Sequence, residues 1–97
     1  MANVRLRWKL PTPTPRQRAI ARTVLDARVS TSLPWSTINT VDAPTETLLV
    51  QDISPGAWEF RATVVDVGNV PSTPVTTAID IAFDAPSAAT EFTAAVE

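Results

Sequence analysis

The feature that most constrains this chain is strict alternation of apolar and polar residues in short segments. Residues 4–10 place Val, Leu, Trp and Leu between Arg, Arg and Lys, the pattern of a β-strand with one buried face. Five further segments, 23–30, 33–41, 47–53, 58–67 and 75–83, also show strand patterns, and turns rich in Pro, Gly, Asn and Ser separate them. Six short strands about ten residues apart predict an all-β sandwich.

One segment allows a second interpretation. Residues 19–29 contain Ala and Arg, which are good helix formers. Within them Leu25, Ala27 and Val29 alternate with Asp26 and Arg28, so the period favours a strand. The predicted core collects the inward positions of the strands, which are Leu6, Trp8, Leu25, Val29, Leu48, Val50, Ile53, Trp58, Phe60, Ala62, Val64, Ile79 and Ile81.

The chain contains no cysteine and no histidine. Disulfides, thiol nucleophiles, Cys/His zinc sites and the commonest general base are therefore excluded. Gly56 and Gly68 are the only glycines, so no glycine-rich phosphate loop exists. Asp66 and Asp80 lie outside any D-x-D-x-D-G pattern. We expect no enzymatic activity, no cofactor and no metal site.

Neither export nor membrane anchoring is indicated by the sequence. Residues 1–5 lack the apolar stretch of a signal peptide. No segment approaches the roughly 20 apolar residues that span a bilayer. We expect a protein that acts where it is made, with no membrane partner.

The net charge of −2 conceals an uneven distribution. The first 28 residues hold seven of the eight basic side chains, whereas nine of the ten acids lie from residue 42 onward. This split is consistent with electrostatic complementarity between copies, or equally with two solvated faces. Binding of nucleic acid by the basic third is a further hypothesis, which the acidic remainder opposes.

Residues 85–97 differ from the rest because they are small and polar, with Phe92 and Val96 as the apolar exceptions. Such a segment cannot fill a core. We therefore divide the chain into a sandwich, residues 1–84, and a C-terminal extension, residues 85–97. The extension is expected to attach to a neighbouring subunit through Phe92 and Val96, while Glu91 and Glu97 meet basic residues.

Three motifs in order resemble fibronectin type III domains. Val4-x-Leu6-x-Trp8 followed by prolines is similar to the second strand of that family. The run over residues 48–64, with its Pro55-Gly56 turn, looks like the family's hydrophobic strand, turn and following strand. Residues 65–72 are similar to a Val-Asp-x-x-Gly-Asn-x-Ser passage of bacterial and phage members. The resemblance covers residues 4–83 and implies an immunoglobulin-like sandwich.

Two departures from the family stand out. Trp58 occupies the position where the family has a tyrosine that makes a corner hydrogen bond. The family's first strand has no counterpart in this sequence, because only three residues precede Val4. The strand of residues 4–10 would then form an open sheet edge. There Arg5, Arg7 and Lys9 either guard against aggregation or mark a site for strand addition by a partner or by the chain's own tail.

The resemblance also implies a function. The opening at residues 8–13 and the turn at residues 55–61 resemble small proteins of tailed bacteriophages, whose immunoglobulin-like modules decorate capsids and tails. The expected function is a capsid decoration or accessory protein that binds the major capsid protein or other virion proteins. We expect a homo-oligomer or a multi-copy assembly in the virion, which assembles in the host cytoplasm. The alternative is a tail-associated or host-surface carbohydrate-binding module, for which Trp35 is the candidate contact. For Trp35 itself the sequence favours a loop tryptophan that lies over the sandwich edge.

Overall fold

The computed structural model describes residues 2–96 as an all-β protein with two antiparallel sheets and no helix. In chain order the strands are β1 (Ala2–Arg7), β2 (Ile20–Arg28), β3 (Ser36–Asp42), β4 (Thr47–Ile53), β5 (Gly56–Asp66) and β6 (Val75–Ile81). Strands β1 and β4 form one sheet, and the other has the order β3-β2-β5-β6. The prediction of six strands is confirmed.

The strands end where their partner strands end, even where the alternation of apolar and polar residues continues. The segment β4 has the predicted bounds, whereas β1 ends at Arg7 instead of residue 10 because its partner begins at Thr47. Beyond that point the Leu10 amide donates to the Glu46 carboxylate at 2.6 Å. In the same way β6 ends at Ile81, which pairs with the first residue of β5.

A β-bulge in β4 explains how that strand keeps its apolar residues inward. Pairing moves from Val4–Val50 to Ala2–Ile53, so β4 carries one extra residue. Asp52 takes up the irregularity with a φ of 57°, and its amide donates to the Asn3 side chain. Because of the extra residue, the Ile53 side chain points toward the core, where it is 5% exposed.

The core lies between the two sheets. Its fully buried apolar members are Val4, Leu6, Leu25, Ala27, Ile53 and Phe60. Partly buried side chains surround them, namely Trp8, Val41, Leu48, Val50, Trp58, Ala62 and Ile81. Ten of the thirteen predicted core residues belong to these two groups; Val29 and Val64 are half-buried.

Ile79 is the core prediction that is wrong. It pairs with Trp58 and so points to the inner face of its sheet, yet 42% of it is exposed. The reason is that β6 is an edge strand facing a sheet of two strands, which does not extend far enough to cover it.

Residues 82–96 form no regular secondary structure and are exposed throughout. The radius of gyration is 20.5 Å and the long dimension 85 Å, whereas a compact domain of about 100 residues has a radius near 13 Å. The tail therefore extends away from the two sheets.

We predict that Phe60→Ala destabilises the fold by about 3–4 kcal/mol, because Phe60 is 3% exposed at the centre of the core. The matched control is Phe83→Ala, which removes the same side chain where it is 78% exposed and should change stability by about 0.5 kcal/mol or less. Urea unfolding monitored by tryptophan fluorescence measures both. Equal losses for the two variants would contradict the assignment of the core.

Candidate interaction surface

An apolar groove lies between β1 and β6. Strand β1 bonds to β4 along one edge, and within residues 2–96 no strand bonds to its other edge. The groove has a volume of about 300 Å³, and its lining includes Leu6, Trp8, Leu25, Phe60, Ala62 and Val75. We call it the β1–β6 groove. It combines an open backbone edge with apolar side chains.

The β6 side of the groove is the least covered part of the inner face. Val75, which lines the groove, pairs with Ala62, and Ile79, which lies farther along β6 and outside the groove lining, pairs with Trp58, so both point toward the core side. They are nevertheless 72% and 42% exposed. Covering apolar side chains that point inward but remain exposed to water lowers the free energy of the protein.

Trp8 lies on the opposite side of the groove and holds an unsatisfied polar atom. Its indole Nε1 is buried and has no hydrogen-bond partner among the described residues. A buried donor without an acceptor costs about 1–3 kcal/mol. The equivalent atom of Trp58 does have a partner, because it donates to the Ser54 carbonyl at 2.8 Å.

The three basic candidates share one exposed face, with Arg5 and Arg7 on β1 and Lys9 two residues beyond its end. Arg5 and Arg7 alternate with the buried Val4 and Leu6, and Lys9 follows at the same spacing. Arg5 reaches the Thr47 hydroxyl at 3.5 Å. Within residues 2–96 none of the three makes an ion pair, so their charges are available to a partner.

The tail candidates, Phe92 and Val96, are the most exposed large apolar residues described, at 94% and 103%. Among residues 2–96 they pack against nothing else. The partner contacts predicted from the sequence therefore lie in two separate places, the basic face at β1 and the two apolar side chains of the tail.

Trp35 lies apart from both, over the outer face of the four-stranded sheet. Its ring is half-buried, and the guanidinium carbons of Arg28 and Arg61 lie 4.2 Å and 4.6 Å from the ring centroid. This is cation–π geometry. The ring is thus engaged with the protein's own side chains.

Asp26 anchors the arginines around that ring. It is 6% exposed and accepts bonds from Arg61 Nε and Nη2, at 3.0 and 2.8 Å, and from the Thr37 hydroxyl at 2.7 Å. Arg28 Nε pairs with Glu59 at 3.0 Å. The sequence pattern does not predict this cluster. The alternation of residues 25–29 does place Asp26 and Arg28 on the same outward face.

A second cleft, of about 480 Å³, lies between the segment of residues 11–18, which includes Pro11 and Pro13, and the loop that joins β5 to β6. Asp66 organises that loop: its side chain accepts from the amides of Gly68 and Val70 at 2.8 and 2.9 Å. Arg16 and Arg18 also line the cleft. Its lining combines prolines and loop polar groups without a cluster of convergent side chains.

Comparison with known proteins identifies no relative: no family model, curated protein or solved structure matches the chain. Among the described residues no group of three or more acidic side chains is arranged to hold a metal ion. The same part of the chain contains no helix long and apolar enough to cross a membrane.

We predict that Asp26→Ala destabilises the protein by about 2 kcal/mol, because Arg61 and Thr37 lose a buried acceptor. The matched control is Asp80→Ala, at an exposed position of β6, with an expected change of about 0.5 kcal/mol or less. Thermal unfolding measures both. If Asp26→Ala matched the control, the polar cluster would contribute nothing to stability.

Proposed function

We propose that this chain is a non-enzymatic structural component of a bacteriophage virion, a capsid decoration or accessory protein that binds the shell through protein–protein contacts. The fold we propose for it is a fibronectin type III-like sandwich without the usual first strand, formed by residues 1–84. Residues 85–97 are the attachment segment.

The strand pairing supports the proposed fold. The first and fourth strands form one sheet, while the second, third, fifth and sixth form the other. In the resembled family an additional first strand precedes the strand that corresponds to β1. An absent first strand is consistent with the open edge of β1 and with the uncovered inner face of β6.

The observation that carries the functional proposal is the tail. Its two large apolar side chains, Phe92 and Val96, are 94% and 103% exposed at the end of a segment without regular secondary structure. Apolar anchors displayed outside the fold are typical of segments that order on a partner. The partners we propose are the major capsid protein or other virion proteins, with several copies of this chain in one particle.

The alternative of a carbohydrate-binding module has less support. Stacking on a sugar needs an accessible aromatic face, and the Trp35 ring already contacts Arg28 and Arg61. Trp8 and Trp58 pack against the core. No cluster of exposed tryptophans is present within residues 2–96.

We predict that deletion of residues 85–97 leaves the melting temperature within about 2 °C of the parent, because the described part of that segment, residues 85–96, is exposed throughout. Incorporation into particles should be lost. The measurements are thermal unfolding of the purified chain and quantitative mass spectrometry of particles grown with each variant.

The full-length control carries Thr93→Ser and Ala95→Ser, which keep the tail and both apolar anchors, and it should incorporate like the parent. Unfolding of the deleted chain would show that the tail completes the fold. Normal incorporation of the deleted chain, or absence of the parent protein from particles, would refute the proposed function.

A further inference from the structure

We propose that the β1–β6 groove is a receptor for the tail of a second copy of this chain. Residues 90–96 of the second copy add to the free edge of β1 as a third strand of the β1–β4 sheet. This inference rests on the proposal that the tail binds protein, and it names the partner surface.

The groove defines what its occupant must be. The free edge of β1 offers backbone donors and acceptors, which an extended segment satisfies by strand addition. One face of that segment must be apolar, because it would cover apolar side chains of the groove such as Trp8, Ala62 and Val75. Its other face would lie beside the basic face of β1.

The tail has the matching alternation. The φ of Glu91 is 55° in the structure, so the segment would have to straighten there. In the extended form that strand addition requires, Thr90, Phe92, Ala94 and Val96 would occupy one face, and Glu91, Thr93 and Ala95 the other. The apolar anchors and the acid therefore fall on opposite faces, as the groove requires. A bulky aromatic followed by small residues also suits a groove of about 300 Å³.

Charge complementarity favours the same pairing. The face of β1 beside the groove carries Arg5, Arg7 and Lys9 without ion-pair partners among the described residues. The chain has no basic residue after Arg61, and its last 14 residues contain three acids, Asp84, Glu91 and Glu97. Opposite charges on neighbouring strands stabilise the pair and set its register.

The direction of the chain favours a second copy over the protein's own tail. Ile81 pairs with Gly56, and Ala2 pairs with Ile53, so β6 ends beside the beginning of β1. The chain's own tail, turning back from that point, would run parallel to β1. The tail of another copy can approach from the opposite end and form the antiparallel pairing, which is the more stable of the two.

Cysteine cross-linking tests the proposal directly, since the natural chain has no cysteine. One preparation carries Thr93→Cys, and a second carries Arg5→Cys, Arg7→Cys or Lys9→Cys. Each pair is mixed and oxidised with oxidised glutathione. A disulfide between the two differently substituted chains, identified by mass spectrometry, is the expected result for at least one β1 position.

The matched control replaces the β1 cysteine by Thr40→Cys, an exposed position on β3 at the far edge of the other sheet. Cross-linking to Thr40→Cys with the same yield would show random collision and overturn the proposal. A chain carrying both Arg7→Cys and Thr93→Cys that cross-links only within itself would assign the groove to its own tail. No cross-link at any β1 position would also overturn the proposal.

A second measurement uses the chain without cysteines. Light scattering should give at least twice the monomer mass for the parent, and Phe92→Ser with Val96→Ser should restore the monomer mass. Thr93→Ser with Ala95→Ser should behave as the parent, and a monomeric parent would count against the proposal. If the chain cross-links through its tail but is absent from particles, this inference stands and the virion function is refuted. If the chain is found in particles but does not cross-link through its tail, only this inference is refuted.

Discussion

The structure depends on how far a sheet of two strands can cover a sheet of four. At the centre, under β1 and β4, Leu25 and Phe60 are 2% and 3% exposed. Toward β6 the cover ends, and inward-pointing side chains are 42% exposed at Ile79 and 72% at Val75. Because a domain of this size buries little apolar surface in total, the few central residues provide most of the hydrophobic stabilisation, and the uncovered edge remains available for binding.

The outer face of the four-stranded sheet is covered in a different way. No third layer packs there among the described residues; instead Asp26 holds Arg61 and Thr37, and Trp35 lies over the arginines. Charged hydrogen bonds satisfy the polar groups, while the ring keeps water from them. This arrangement protects the central strands β2 and β5 on both faces. The four most exposed large apolar side chains described lie elsewhere, at Val75 on β6 and at Phe83, Phe92 and Val96 after it.

The sequence predicts the strands because alternation and turn residues are local signals. Both ends of the strand at residues 47–53 are predicted correctly, because Pro44 precedes the segment and Ser54-Pro55-Gly56 follows it. The bounds of β1 are missed at its end because a strand lasts only as long as its partner, and pairing is a property of the whole fold. Alternation also predicts that Arg5, Arg7 and Lys9 share one face. The β1–β6 groove and the contacts of Trp35 depend on which strands join which sheet, which no local pattern in the sequence encodes.

The basic face of β1 bears on which partners the open edge can accept. Unprotected edges tend to pair with copies of themselves, and charged side chains are a common means of preventing it. If two β1 edges met, Arg5, Arg7 and Lys9 of one copy would face the same residues of the other, and like charges across a strand pair are destabilising. A strand without basic residues, and with Glu91 as its one charged side chain, meets no such repulsion. The charges that protect the edge against self-pairing therefore also favour a segment such as residues 90–96, so protection and recognition are two consequences of one arrangement of side chains.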